Sequence, residues 1–283
     1  MNIATTTLGV LGIGLCLASC SARAQPRAET LTRRYAVQDA DTLYVKNING
    51  PITVTGYDGD EVKLSVTITR EADNDAARQV AATLTLGEYQ KGNKLVFYMD
   101  APFIEFDPEH PEWGMQMDNW GEGYEVKFAY EIQVPHHLSV SVSTVQHGEV
   151  TVRGVHGGVL AANVNDDVRL ADLHGPAVRA ITVNGDIESE HKQALQGDSE
   201  YRTINGTIDV SYPQGTKARM TFDTFNGQFF TDFDYTPAPV QVVKSHEHDT
   251  EYRMAGLSGI QVGQGGPTLS FHNFNGDTYI RKK

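Results

Sequence analysis

Cysteine is almost missing from this chain. Two occur among its 283 residues, Cys16 and Cys20, both near the start. Everything after them lacks disulfides and thiol chemistry, so stability there has to come from packing. Basic residues are scarce as well: 23 Lys and Arg face 36 Asp and Glu, a formal charge of −13. Nucleic-acid binding uses clustered Lys and Arg, so the composition argues against it. It argues equally against a hold on anionic lipid through the protein's own charge. The apolar run at residues 8–17 is too short to span a bilayer and suits the h-region of a secretory leader. Catalytic signatures are lacking. His246-Glu247-His248-Asp249 departs from His-Glu-x-x-His because Thr250 follows. Gly256-Leu257-Ser258-Gly259 departs from Gly-x-Ser-x-Gly because Ile260 follows. No phosphate-cradling loop appears after the leader, and no motif calls for a cofactor.

What is present is a recurring phrase. It reads Val164-Asn165-Asp166-Asp167-Val168, Val183-Asn184-Gly185-Asp186-Ile187 and Ile204-Asn205-Gly206-Thr207-Ile208. Outlying copies start at Ile48, Phe225 and Phe274, and His147 replaces Asn in one more. The markers His147, Asn165, Asn184, Asn205 and Asn226 lie 18, 19, 21 and 21 residues apart. A second turn phrase falls between them, at His156-Gly157, His174-Gly175, Gln196-Gly197 and Gln214-Gly215. Each repeat thus has two turns and two strand-length segments. Asn-Gly suits a turn needing φ > 0. Alternation such as Ile208-Asp209-Val210 gives a strand one apolar and one polar face.

One repeat cannot bury its own apolar side, but stacked repeats can. Stacking predicts an interior column of Val150, Val168, Ile187, Ile208 and Phe229, each coil adding roughly 4.8 Å. The predicted fold is all-β: a β-solenoid with short coils of about 18–21 residues and one short N-terminal helix. The alternative is an antiparallel β-sandwich.

These phrases resemble the bacterial "putative adhesin" β-strand-repeat family, and the ending from Asn275 to Lys282 is similar too. The resemblance covers about residue 43 to the last residue. It implies the repeat fold and, by the family's name, surface adhesion; it implies no catalytic residues. Leu17-Ala18-Ser19-Cys20 resembles the lipobox of bacterial lipoproteins, which implies cleavage before Cys20, lipidation there and anchorage in the cell envelope. Ala22-Arg23-Ala24 offers an ordinary cleavage site before Gln25 instead, which would give a secreted or periplasmic protein.

In order, residues 1–24 read as leader, 25–41 as a polar tether and 42–283 as the strand-repeat domain. Asp73-Asn74-Asp75 before an Ala-rich run predicts an N-capped helix. Residues 100–125 break the pattern: eight carboxylates, no Lys or Arg, both tryptophans and three prolines. A long irregular loop in a compact domain is a binding loop or an end cap. Trp113, Trp120, Tyr124 and Phe106 are its candidate contacts. The regular repeats occupy 143–232. An irregular segment and the last repeat follow, over 233–283.

Three constellations bear on chemistry. Asp167 and Asp186 recur at one place in successive repeats, with Arg169 near, and stacked carboxylates of this kind hold Ca²⁺ in polysaccharide-active β-helices; turn chemistry is the simpler account. His156 and His174 share a column, where a metal or a backbone bond would use them. His246 and His248 fall on one strand face and form a loose metal candidate. The function expected is a non-enzymatic envelope surface protein, binding a glycan or protein partner. An envelope-stress sensing module and a polysaccharide-active enzyme are the alternatives.

Overall fold

The computed structural model describes residues 27–37, 41–118, 121–238, 242–244, 252–254 and 258–283. Its N-terminal part comprises β1 (Arg27–Ala36), β2 (Thr42–Lys46), β3 (Ile52–Tyr57), β4 (Glu61–Ala72), helix α1 (Asp75–Ala81), β5 (Thr85–Lys91) and β6 (Lys94–Asp100). A small pair, β7 (Ile104–Glu105) and β8 (Gln116–Met117), precedes β9 (Tyr124–Pro135). Paired segments follow: β10 (Ser139–Ser143) with β11 (Val150–Arg153), β12 (Val159–Ala162) with β13 (Val168–Leu173), and β14 (Val178–Ile181) with β15 (Ile187–His191). Next come β16 (Ser199–Asn205) with β17 (Ile208–Tyr212), then β18 (Ala218–Asn226) with β19 (Phe229–Thr231). The chain ends through β20 (Tyr235–Pro237), β21 (Val242–Lys244), β22 (Tyr252–Met254), β23 (Ser258–Val262), β24 (Thr268–Asn275) and β25 (Thr278–Lys282).

Two large mixed sheets share one buried cluster. The first has ten strands, ordered β1-β4-β9-β3-β11-β13-β15-β17-β25-β19. The second has eleven, ordered β20-β23-β18-β24-β16-β14-β12-β10-β2-β6-β5. From β10 to β17 successive strands alternate between the sheets; β10 and β11 pair in parallel with β2 and β3, and from β12 on each pairs in parallel with the strand one repeat earlier. Antiparallel pairing in the large sheets is confined to their ends: β1 with β4, β4 with β9, β5 with β6, and β23 with β18 and β20.

The register explains the repeat. Val150 lies beside Val168, Val168 beside Ile187, and Ile187 beside Ile208, all fully buried. Each such side chain stabilises the stack by roughly 1.5–3 kcal/mol. The expected column then departs from chain order. Ile208 pairs with Thr278, and Thr278 pairs with Phe229, so the last repeat lies between the two preceding ones. Proximity in sequence misled here because turn spacing sets the size of a repeat but not which repeat it stacks upon.

The helix forms where expected. Asn74 is its N-cap, its side chain accepting a hydrogen bond from the Ala77 amide at 2.9 Å, and α1 buries Ala77 and Ala81. The span expected to be a tether contains β1 instead, an edge strand paired along ten residues of β4. Leu31 and Tyr35, four residues apart on one face of the strand, pack against the core, while the rest of β1 is exposed. Ser258–Val262, inside the segment expected to be irregular, likewise forms a strand on β18.

Candidate functional site

The turns leading from the second sheet into the first lie in one line. Most carry an apolar residue, then Asn, then Gly or Asp; the turn at Val145 has Gln146 before His147-Gly148. Val145, Ile204, Phe274 and Phe225 are exposed there, with Phe225 the most open at 73%, and Val164 and Val183 are half-buried in the same column. Phe225 stacks on Phe274 at 5.0 Å and 5°.

Beside this apolar ridge runs a ladder of amides. The Asn184 Nδ2 donates to Asn165 Oδ1 at 3.1 Å, Asn205 to Asn184 at 2.8 Å, Asn275 to Asn205 at 2.8 Å, and Asn226 to Asn275 at 2.9 Å. Asn165 closes the series on the Val145 carbonyl at 3.2 Å. An amide has two N–H donors and an acceptor oxygen with two lone pairs. The ladder uses at most one of each per residue, so donor and acceptor capacity remains along the surface. Parallel in-register stacking creates the line, because equivalent residues of stacked repeats must meet.

The stacked acids serve the backbone. Asp167 Oδ1 accepts from the Asp186 amide at 2.9 Å, and Asp186 Oδ1 from the Thr207 amide at 2.7 Å. Asp166 does the same for Gly148, and Asp277 for Gln228, each at 2.9 Å. Arg169 is engaged with Glu149, with Asp167 at 3.1 Å and with Glu188 at 3.5 Å. The geometry is that of turn chemistry.

His156 and His174 do meet, their rings 4.5 Å apart but tilted by 47°, and His136 stacks on the other side of His156 at 4.5 Å and 16°. Burial, then the neighbouring His174 and His136, hold His156 below the ordinary histidine range. Asp172 sits 3.2 Å from His174, and Asp58 sits 3.6 Å from His136. Among the described residues no three such groups converge as a metal site. His136 escaped the sequence reading because Pro135-His136-His137 lacks the following Gly that marks the other members.

Of the loop candidates, Phe106 and Tyr124 pack against the core, as do Phe103 and Met115, while Ala101, Ile104 and Pro111 are buried. Trp113 remains 71% exposed and stacks on His110 at 4.0 Å and 7°. Lys91 and Tyr89 tie down Glu109 at 2.8 and 3.1 Å and draw its carboxyl below the usual range. The structure therefore separates Trp113 from Phe106 and Tyr124. Trp120, His246, His248 and Cys20 lie outside the described residues.

A polar cluster inside the core went unforeseen. His191 Nε2 lies 2.7 Å from the Tyr201 hydroxyl and 3.0 Å from Ser189 Oγ. Its ring stacks on Tyr212 at 4.7 Å, and the Tyr212 hydroxyl donates to that of Tyr201 at 3.1 Å. Burial pushes the imidazole down to about 3. The only sequence signal is Ser189 at a repeat position that is otherwise apolar: Leu170 precedes it and Val210 follows it in register.

No known protein family matches the chain, and no curated protein matches it. Solved structures do. A "putative cell adhesion protein" from Clostridium sporogenes is 9% identical, with a TM-score of 0.48 over 92% of this chain and 100% of that one. A "putative adhesin" from Bacteroides fragilis is 11% identical, with a TM-score of 0.34 over 90% and 97%. A "putative lipid binding protein" from Parabacteroides distasonis is 12% identical, with a TM-score of 0.28 over 90% and 96%. Identities this low, with TM-scores below 0.5, transfer no residue role to this chain.

Proposed function

We propose that this chain is an exported, non-enzymatic cell-envelope protein. Its repeats wind as a β-solenoid, and its turn ridge binds an extended partner, either a glycan or a protein strand. The ridge carries the reading: six apolar side chains in line, flanked by five hydrogen-bonded amides. A monomeric soluble surface rarely leaves a contiguous apolar line uncovered without an interaction to serve. In support of the solenoid, the strands alternate between sheets and pair in parallel at one-coil intervals. In support of export, the short apolar run and the lipobox-like Leu17-Ala18-Ser19-Cys20 precede the fold. Lipid at Cys20 would anchor the N-terminal end, where β1 lies, and the aromatic end of the ridge lies nine strands along the first sheet. Over residues 101–118 the acidic segment packs Phe103, Phe106 and Met115 against the core, and Trp113 stays exposed and open to contact.

Purified cell-envelope polysaccharide and immobilised envelope protein, each incubated with the chain beginning at Gln25, test this reading. The paired change Phe225→Ala with Phe274→Ala should weaken retention by roughly tenfold, the scale of losing a central aromatic anchor. Retention unchanged in that folded variant would remove the ridge as the binding site.

A further inference from the structure

The last coil occupies a slot between two coils that are neighbours in the chain. β24 pairs in parallel with β16 on one side and β18 on the other, and β25 does the same with β17 and β19. Phe271 lies between Tyr201, stacked at 5.2 Å and 8°, and Phe222 at 6.0 Å. Asn275 completes the amide ladder between Asn205 and Asn226. Leu269, Phe271 and Ile280 are buried on insertion.

The walls of this slot carry the same repeat pattern as the insert. Asn205-Gly206, Asn275-Gly276 and Asn226-Gly227 stand in one column, with Tyr201, Phe271 and Phe222 in another. The link between the walls, residues 213–217, rises past one extra coil, yet it is no longer than 154–158, which rises past none. Closing the slot therefore needs no change in chain length. The insert itself hangs on a short glycine-rich hinge, Gly263-Gln264-Gly265-Gly266-Pro267. Gly263 and Gly265 have φ of +61° and +75°. At Gly266 a Cβ would come within 2.5 Å of the Lys217 carbonyl oxygen, so only glycine lets the chain cross there. Before the hinge, β23 stays on the outer edge of β18; after it, β24 enters at the inner edge.

We infer that the coil formed by β24 and β25 is an exchangeable donor, and that the slot between the β16–β17 and β18–β19 coils accepts the same coil from a second copy of this chain. Contacts in trans are the same as those in cis, so exchange costs little beyond the association itself once the hinge swings open. An out-of-order coil whose two walls already match each other is a two-state element of the kind such exchange requires. The partner is thus another copy, joined through a donated coil rather than through a flat surface contact.

The test uses the chain beginning at Gln25, which holds every described residue and no cysteine. Two preparations with different affinity tags are mixed at high concentration, warmed to just below the melting midpoint, cooled, and captured on one tag. Mixed-tag dimers that survive dilution are expected. Thr221→Cys with Ser270→Cys places a disulfide across β18 and β24, where the two hydroxyls now lie 3.2 Å apart. Oxidised, this variant should form at least about tenfold fewer mixed dimers, and reduction should restore them. Absence of mixed-tag species, or equal yields from the oxidised and reduced variant, would overturn the inference. Ridge binding is read separately by the Phe225 and Phe274 variants, so the two ideas fail independently.

Discussion

His191 should make this protein acid-sensitive in a defined window. The imidazole is 2% exposed, its Nδ1 has no hydrogen-bond partner, and burial pushes its pKa to about 3 from an ordinary 6.5. Between these values the unfolded chain binds a proton that the folded chain does not. Stability is therefore complete above about pH 6.5 and falls as the pH drops toward 3. Each pH unit is worth about 1.4 kcal/mol, so cooling aside, moving from pH 7.5 to 5 should remove roughly 2 kcal/mol through this residue alone. His156, also shifted down, acts in the same direction, so the comparison has to be with a variant. His191→Gln keeps a neutral group able to reach the Tyr201 and Ser189 hydroxyls. Urea unfolding followed by circular dichroism at both pH values gives the two losses. The wild-type loss should exceed that of the variant by roughly 2 kcal/mol, whatever their difference at pH 7.5. Equal losses would refute the argument, since they would mean that His191 can take up a proton in place or is not enclosed.

Other expectations follow from the same geometry. Ile187→Asp puts a charge into a fully buried column and should destabilise the stack by several kcal/mol, roughly 3–5; wild-type thermal stability would refute the register. Trp113→Ala should leave the melting temperature almost unchanged, because the side chain is 71% exposed, so a fall in envelope retention in that variant would assign the loop to binding. Trp120→Ala, measured alongside, shows by melting temperature and retention which role that second tryptophan takes. Cys20→Ala should release the protein from the membrane fraction, and a mature N-terminus at Gln25 found by mass spectrometry would refute the anchor.

Local rules were legible in the sequence. Turn phrases at regular spacing located the repeats, alternation named Val150, Val168, Ile187 and Ile208 as interior, and Asn74 announced the helix. Each depends on residues within a few positions of one another, which is why a linear reading finds them. The near-regular recurrence of Asn165, Asn184 and Asn205 is in the sequence, but their joining as an amide ladder needed the parallel register. Tertiary structure alone decided the rest. Only parallel pairing at long range shows the last repeat entering between two others, because every repeat offers the same edge pattern and sequence does not rank the partners. It turned residues 27–36 from an expected tether into an edge strand, whose face has value only when β4 lies beside it. It gathered Ser189 and His191 of β15, Tyr201 of β16 and Tyr212 of β17 into one buried cluster, and drew His136 to His156. It also divided the acidic aromatic loop, setting Phe106 and Tyr124 against the core and leaving Trp113 in solvent. Composition put those side chains in one segment, but burial, a property of the assembled sheets, determined which of them faces the core.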